Sequence, residues 1–220
     1  MDNPGNAPPA VMAIEELQFN NNLANLGRLF DVTLDVHTIR TTLTSSPQLV
    51  AAWLIHTLDL NRDHYPSLLV GLAIESSGNT NNRVDILQLC AGHSCLIFQI
   101  SRAPYLPSSL VTFLSNPNIS FVGIGIQDDV TALLNRYSLR VTNTVDLRIF
   151  GADVLRDNTM RHVNCRRLAQ RVMDIDVEWP QSYIRREWHF DGDNLSLEQV
   201  QFVTVAAFLR YKIAYRLTWQ

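Results

Sequence analysis

A chain of 220 residues with 46% hydrophobic residues is long enough for one domain with a sizeable core, and no apolar run in it approaches the roughly 20 residues that span a bilayer. A formal net charge of −3 argues against a general nucleic-acid binder. The charge is uneven, with 5 Arg against 11 acids in residues 1–135 and 13 basic residues against 10 acids in 136–220, so the second half is expected to present a local basic face or, more simply, a solvated one.

Residues 1–25 are rich in Asn, Pro and Ala and only weakly periodic. They read as a flexible tail, disordered over the first ten residues and a tail or loose helix beyond, ahead of a domain over 26–220. The opening MDNPGNAPPA lacks a basic segment followed by an apolar stretch, so it is not read as a signal peptide, and the expected location is cytosol or nucleus. Phe30 to Val36 alternates apolar and polar residues as a strand does, and Thr38 to Thr44 is its β-branched hairpin partner. Ser46-Pro47 then opens a helix, with Ser as cap and Pro in the first helical position. Leu68 to Ile74, Val84 to Leu89 and Cys95 to Ile100 are three strands of an antiparallel meander; the run Ser76 to Asn82 turns between the first two. A short helix is expected over 107–114. Ile119 to Ile126, nearly all apolar or glycine, reads as a strand buried on both faces. Asp128 and Asp129 start the next helix, where acids complement the helix dipole. A short strand over 144–147 and helices over 148–157, 163–173 and 196–217 complete the chain.

This order predicts an α/β fold with a mixed sheet of about five strands and helices on both faces, plus an extra N-terminal hairpin. The three cysteines, Cys90, Cys95 and Cys165, are an odd number without a secretory signal, which points to reduced, buried structural thiols. No further ligands at metal-site spacing accompany them.

Three segments carry the chemistry. In Val70-Gly71-Leu72-Ala73-Ile74-Glu75, alternation puts Gly71, Ala73 and Glu75 on one face of a strand. The run Phe121-Val122-Gly123-Ile124-Gly125-Ile126-Gln127-Asp128-Asp129 brings an acid to a strand-to-helix junction. In Phe202-Val203-Thr204-Val205-Ala206, the first and last residues lie one helical turn apart. In order and spacing these resemble the three motifs of the DEDD 3′–5′ exonucleases, in the branch that uses tyrosine, and particularly the plant Werner-syndrome-like exonucleases. Leu87-Gln88-Leu89-Cys90, Cys95-Leu96-Ile97-Phe98-Gln99, Thr144-Val145-Asp146-Leu147 and Glu198-Gln199-Val200 extend the resemblance from about Phe30 to the C-terminus.

The resemblance implies a ribonuclease-H-like (DnaQ-like exonuclease) fold and two divalent metals, Mg or Mn, held by four carboxylates. At the motif positions the first Asp is replaced by Ala73, the Tyr by Phe202 and the last Asp by Ala206, while Glu75 and Asp129 remain. Two-metal chemistry needs ions about 3.5–4 Å apart, in hard oxygen ligands. Ala73 and Ala206 offer no oxygen, and Phe202 has no hydroxyl to position a water. Glu75 and Asp129 then form a vestigial metal site that would leave most of an ion's coordination to water. Asp85, Asp128 and Asp146 are the candidate substitute acids; their plainer roles are helix capping, hydrogen bonding and solvation.

The expectation is a catalytically inactive exonuclease-like protein that acts by binding a protein partner or by competing with active relatives. Two alternatives stand beside it. One is single-stranded DNA or RNA binding, with Arg166, Arg167 and Arg171 on phosphates. The other is an active 3′–5′ exonuclease with replacement ligands. Trp188, after Arg185-Arg186-Glu187, either stacks on a base or packs its loop.

Overall fold

The computed structural model describes residues 9–19, 25–61, 68–77, 84–184, 189–190 and 194–219. The start of the expected tail, most of the 76–82 turn and the segment 185–188 lie outside the described residues.

Eight strands form one mixed sheet: β1 (Met12–Leu17), β2 (Gly27–Leu34), β3 (His37–Thr44), β4 (Leu68–Glu75), β5 (Ile86–Ala91), β6 (Ser94–Phe98), β7 (Ile119–Gly123) and β8 (Thr144–Asp146). Their spatial order is β1-β2-β3-β6-β5-β4-β7-β8. The expected five-stranded sheet is present as β6-β5-β4-β7-β8, with its antiparallel meander. The β2–β3 hairpin does not stand apart from it, because β3 pairs in parallel with β6 and extends the same sheet. β1 is a strand where a tail or loose helix was expected. It pairs antiparallel with β2 over its whole length, Met12 opposite Leu34 and Leu17 opposite Leu29. Only Met12, Ile14 and Leu17 turn inward, and Glu15-Glu16 breaks the alternation, so an edge strand leaves little periodic signal.

Helices cover both faces. On one lie α1 (Pro47–Leu60), α2 (Ser108–Leu114) and α3 (Ile126–Tyr137), where Trp53, Leu110 and Phe113 pack on Leu72, Leu89 and Phe98. On the other lie α4 (Leu147–Leu155), α5 (Cys165–Met173), the short α6 (Gln181–Ile184) and the long α7 (Leu197–Thr218). There Val203, Ala207 and Phe208 join a core with Phe30, Val32 and Cys90. The helix starts follow their caps. Ser46 accepts from the Leu49 N–H ahead of α1, and Ser196 and Gln199 form a reciprocal capping box at α7.

The sheet and α7 approach closely at Gly71. A Cβ there would sit 2.4 Å from the Ala207 carbonyl oxygen and 2.8 Å from the Tyr211 nitrogen, both backbone atoms on α7. Glycine is therefore required by close approach. Gly71→Ala is expected to lower stability by about 2–3 kcal/mol, read as a lower midpoint in urea at unchanged slope; a neutral effect would mean that α7 sits further from the sheet.

Cys90 and Cys95 face each other across the β5–β6 hairpin and are joined by a disulfide. This corrects the expectation of three reduced thiols. The hairpin register puts the two directly opposite, which spacing along the chain alone did not reveal. Cys165 is the free cysteine, and it is buried.

Candidate functional site

β4, β7 and β8 run parallel, and their C-terminal ends carry the side chains singled out in the sequence. This is the end of an α/β sheet at which ligands generally bind. β4 brings Ala73 and Glu75 to the face under α7. β7 ends at Gly123, and Gly125 turns the chain into α3 with φ +64°, a left-handed conformation that suits glycine. Asp128 and Asp129 fall in the first turn of α3. The start of α7 supplies Phe202 and Ala206.

The structure brings these positions together. Ala73, Phe202 and Ala206 are only 1%, 5% and 4% exposed. Asp129, in the first turn of α3, lies beside the Ile74 backbone at the end of β4. Gln88, opposite Ala73 in the β4–β5 register, donates from Nε2 to Glu75 Oε1 at 3.4 Å. Tyr183 on α6 donates its hydroxyl to the Glu75 carboxylate, 3.4 Å from each oxygen. Its ring lies 3.9 Å from that of Phe202, and Trp179 meets Phe202 edge-on at 4.9 Å. A phenol hydroxyl therefore reaches Glu75 from α6, beside the ring that lacks one on α7.

Arg210 is the other arrival. It lies one turn beyond Ala206 on α7, and its side chain runs back along the helix so that Nη1 donates to the Ala206 carbonyl oxygen at 2.7 Å. Its Nε is buried without a hydrogen-bond partner. The guanidinium is close enough to act on both surviving acids. Burial pushes the Glu75 carboxyl up to about 7 against the pull of Arg210 and the Gln88 hydrogen bond. Burial likewise raises Asp129 to about 7, again against Arg210, with Asp128 and Asp146 adding to the rise. The same burial, with Glu75 beside it, raises the Tyr183 phenol, which stays a neutral donor.

The candidate substitute acids are placed differently from one another. Asp85 is fully buried, and its Oδ2 accepts from the Ser77 N–H at 2.6 Å, holding the chain just past β4. Asp146 caps α4, forms a two-pronged ion pair with Arg148 and accepts from the Gly125 N–H at 3.1 Å. Both carboxylates are engaged in holding backbone. Asp128 is exposed at the start of α3. Of the arginines, Arg166 makes a two-pronged pair with Asp176, and Arg167 donates from Nη1 to Gln170. Arg171 is exposed in the last turn of α5. The expected basic face of α5 is thus partly neutralised.

The donor set does not fit a pair of divalent ions. Among the described residues no group of three or more His, Cys, Asp or Glu side chains stands together as a metal site. Two carboxyls beside a guanidinium offer a hard dication few oxygens and an adjacent positive charge. Sequence reasoning singled out Ala73, Phe202 and Ala206 but overlooked Gln88, Tyr183 and Arg210. Helical spacing gave a signal for Arg210, four residues from Ala206 and eight from Phe202. Tyr183 had none, since α6 is a single short turn far from the motifs in sequence.

The fold is ribonuclease-H-like, a mixed sheet between two helical layers, as found in 3′–5′ exonuclease structures. Escherichia coli RNase D, an exoribonuclease, superimposes with a TM-score of 0.64 at 13% identity, over 80% of this chain and 44% of that one. The EXD2 exonuclease domain, soaked in Mn and Mg, aligns at a TM-score of 0.46 with 20% identity, over 80% of this chain and 88% of that one. In sequence the chain is 26% identical over 125 residues to mouse (Mus musculus) exonuclease 3′-5′ domain-containing protein 2. It is 34% identical over 67 residues to the mouse bifunctional 3′-5′ exonuclease/ATP-dependent helicase WRN. Those matches cover 52% and 30% of this chain but only 19% and 5% of the relatives' own lengths. No family model matches the chain.

Proposed function

We propose that this chain is a catalytically inactive 3′–5′ exonuclease-like protein of the Werner-syndrome-like branch. The 67-residue stretch shared with WRN supports the branch. One observation carries the inactivity: where the motifs call for carboxylates, the cleft holds the methyl groups of Ala73 and Ala206, and it is filled by the Arg210 guanidinium and the Tyr183 phenol. A permanent internal cation stands beside the two remaining acids, where metal ions stand in two-metal nucleases. Mg or Mn then binds weakly, in a shell made mostly of water. Function passes from cutting to binding, either to a protein partner or in place of active relatives. The scaffold remains, and the chemistry does not follow from it.

A nuclease assay tests this. The substrates are a 3′-recessed duplex and a single strand, with Mg²⁺ or Mn²⁺, an active relative as positive control and Glu75→Ala as negative control. The expected result is no cleavage above that of the Glu75→Ala variant while the relative cuts. Cleavage that disappears in Glu75→Ala would overturn the proposal.

A further inference from the structure

The far end of the sheet carries a second cluster, unrelated to the cleft. Because β5 runs antiparallel to β4, with Gly71 opposite Cys90 and Glu75 opposite Ile86, the β5–β6 turn lies at the opposite end of the sheet from Glu75. The β2–β3 turn lies beside it, since Arg40 of β3 is opposite Ser94 of β6. The second half of α7 passes over both turns. At about 100° per residue, Lys212 is rotated about 200° from Arg210 and so faces away from the cleft.

The cluster interleaves cations with aromatic rings. Tyr215 and Trp219 lie one helical turn apart with ring centroids 6.4 Å apart, and they are 38% and 72% exposed. Lys212 sits over the Tyr215 ring at 5.4 Å, and Arg216 is the next cation along the same stripe. Among the described residues neither Lys212 nor Arg216 is ion-paired with a carboxylate. His37 and His93, from the two turns, touch each other through ring nitrogens at 3.2 Å and both lean on Phe208. Burial and Lys212 hold both imidazoles below their ordinary pKa, so at neutral pH they add donors and flat surface but little charge. The acid facing His37 is Asp35, whose Oδ1 accepts from the Val11 N–H at 2.8 Å.

We infer that this face of α7 binds single-stranded nucleic acid, with Lys212 and Arg216 on successive phosphates and Tyr215 and Trp219 offering their rings to unpaired bases. Uncompensated cations select a polyanion. Exposed rings next to them select one with accessible bases, which favours a single strand over a duplex. A strand held here needs no metal and no contact with the cleft, so the surface operates whether or not the cleft cuts.

Fluorescence anisotropy with labelled short oligothymidine and oligouridine, at about 25 mM salt, tests the inference. Lys212→Glu with Arg216→Glu is expected to weaken binding at least tenfold. The same pair of changes should flatten the log–log salt dependence by about 1.4, or about 0.7 for each lost phosphate contact. Tyr215→Ala with Trp219→Ala is expected to weaken binding about tenfold, since base stacking is lost. Arg166→Ala and Arg171→Ala on α5 should leave affinity unchanged. Because Tyr215, Arg216 and Trp219 are exposed and Lys212 is half-buried, unchanged thermal melting of each variant accompanies the measurement. Four results would overturn the inference: no binding by the unaltered chain; losses confined to the α5 variants; full affinity in the aromatic variant, which leaves a plain anion patch; or a dimer in light scattering that Trp219→Ala dissolves, which makes the face a contact between copies.

Discussion

In a chain carrying A73D, F202Y and A206D, the further change Arg210→Ala is expected to tighten Mn²⁺ binding at least tenfold, measured by titration calorimetry. The three substitutions return every motif residue, yet they leave the Arg210 guanidinium within electrostatic reach of Glu75 and Asp129. A single positive charge about 6 Å from a dication, at an effective dielectric of about 20, repels it by roughly 5 kcal/mol. Much of that is recovered if the side chain swings out. It has reason to stay, however, because Nη1 is anchored on the Ala206 carbonyl and the stem is packed against α7. The tenfold figure corresponds to about 1.4 kcal/mol, a fraction of the full repulsion. If the triple variant binds Mn²⁺ as tightly as the quadruple one, Arg210 is a bystander, and the loss of carboxylates alone accounts for the site.

That experiment separates two things the sequence shows unequally. Positions 73, 202 and 206 were legible from their flanks: Leu68 to Glu75 forms β4, and Ser196 caps α7 where its sequence calls for a cap, whereas the strand expected over Ile119 to Ile126 ends at Gly123, because Gly125 turns the chain and Ile126 already opens α3. The replacements were not legible in the same way, because they come from outside the motifs. Tyr183 reaches Glu75 from 108 positions away, and no local pattern encodes such a contact. β1 was hidden for a different reason. As an edge strand it buries one side only in part, and its two adjacent glutamates interrupt the period on which strand reading depends. The Cys90–Cys95 disulfide depends on hairpin register, which is a property of two strands together.

The protonation of the cleft gives the other large effect: Glu75→Gln is expected to stabilise the protein at pH 8 and to leave it nearly unchanged at pH 4. In the folded chain Glu75 titrates at about 7, chiefly because burial disfavours its charge, whereas an unfolded glutamate titrates near 4.5. Between those values the folded state holds the extra proton, so stability is fully present below about pH 4 and is lost as the pH rises through 7. Above pH 7 the folded protein carries a buried carboxylate that the unfolded chain hydrates freely. The shift corresponds to roughly 3 kcal/mol, and partial solvent access reduces it to about 2. Glutamine imitates the protonated acid, with an oxygen still able to accept from Tyr183 and Gln88, and it has no charge to desolvate. Thermal melting at pH 8 should therefore rise by about 4–8 °C in the variant. The wild-type chain should lose more melting temperature than the variant between pH 5 and pH 8, since the variant keeps the Asp129 titration but not that of Glu75. A variant less stable than wild type at pH 8 would show that Arg210 holds Glu75 ionised as a paired carboxylate. In that case the cleft is balanced by an ion pair rather than by a proton, and the reason it rejects a dication is occupancy by Arg210 alone.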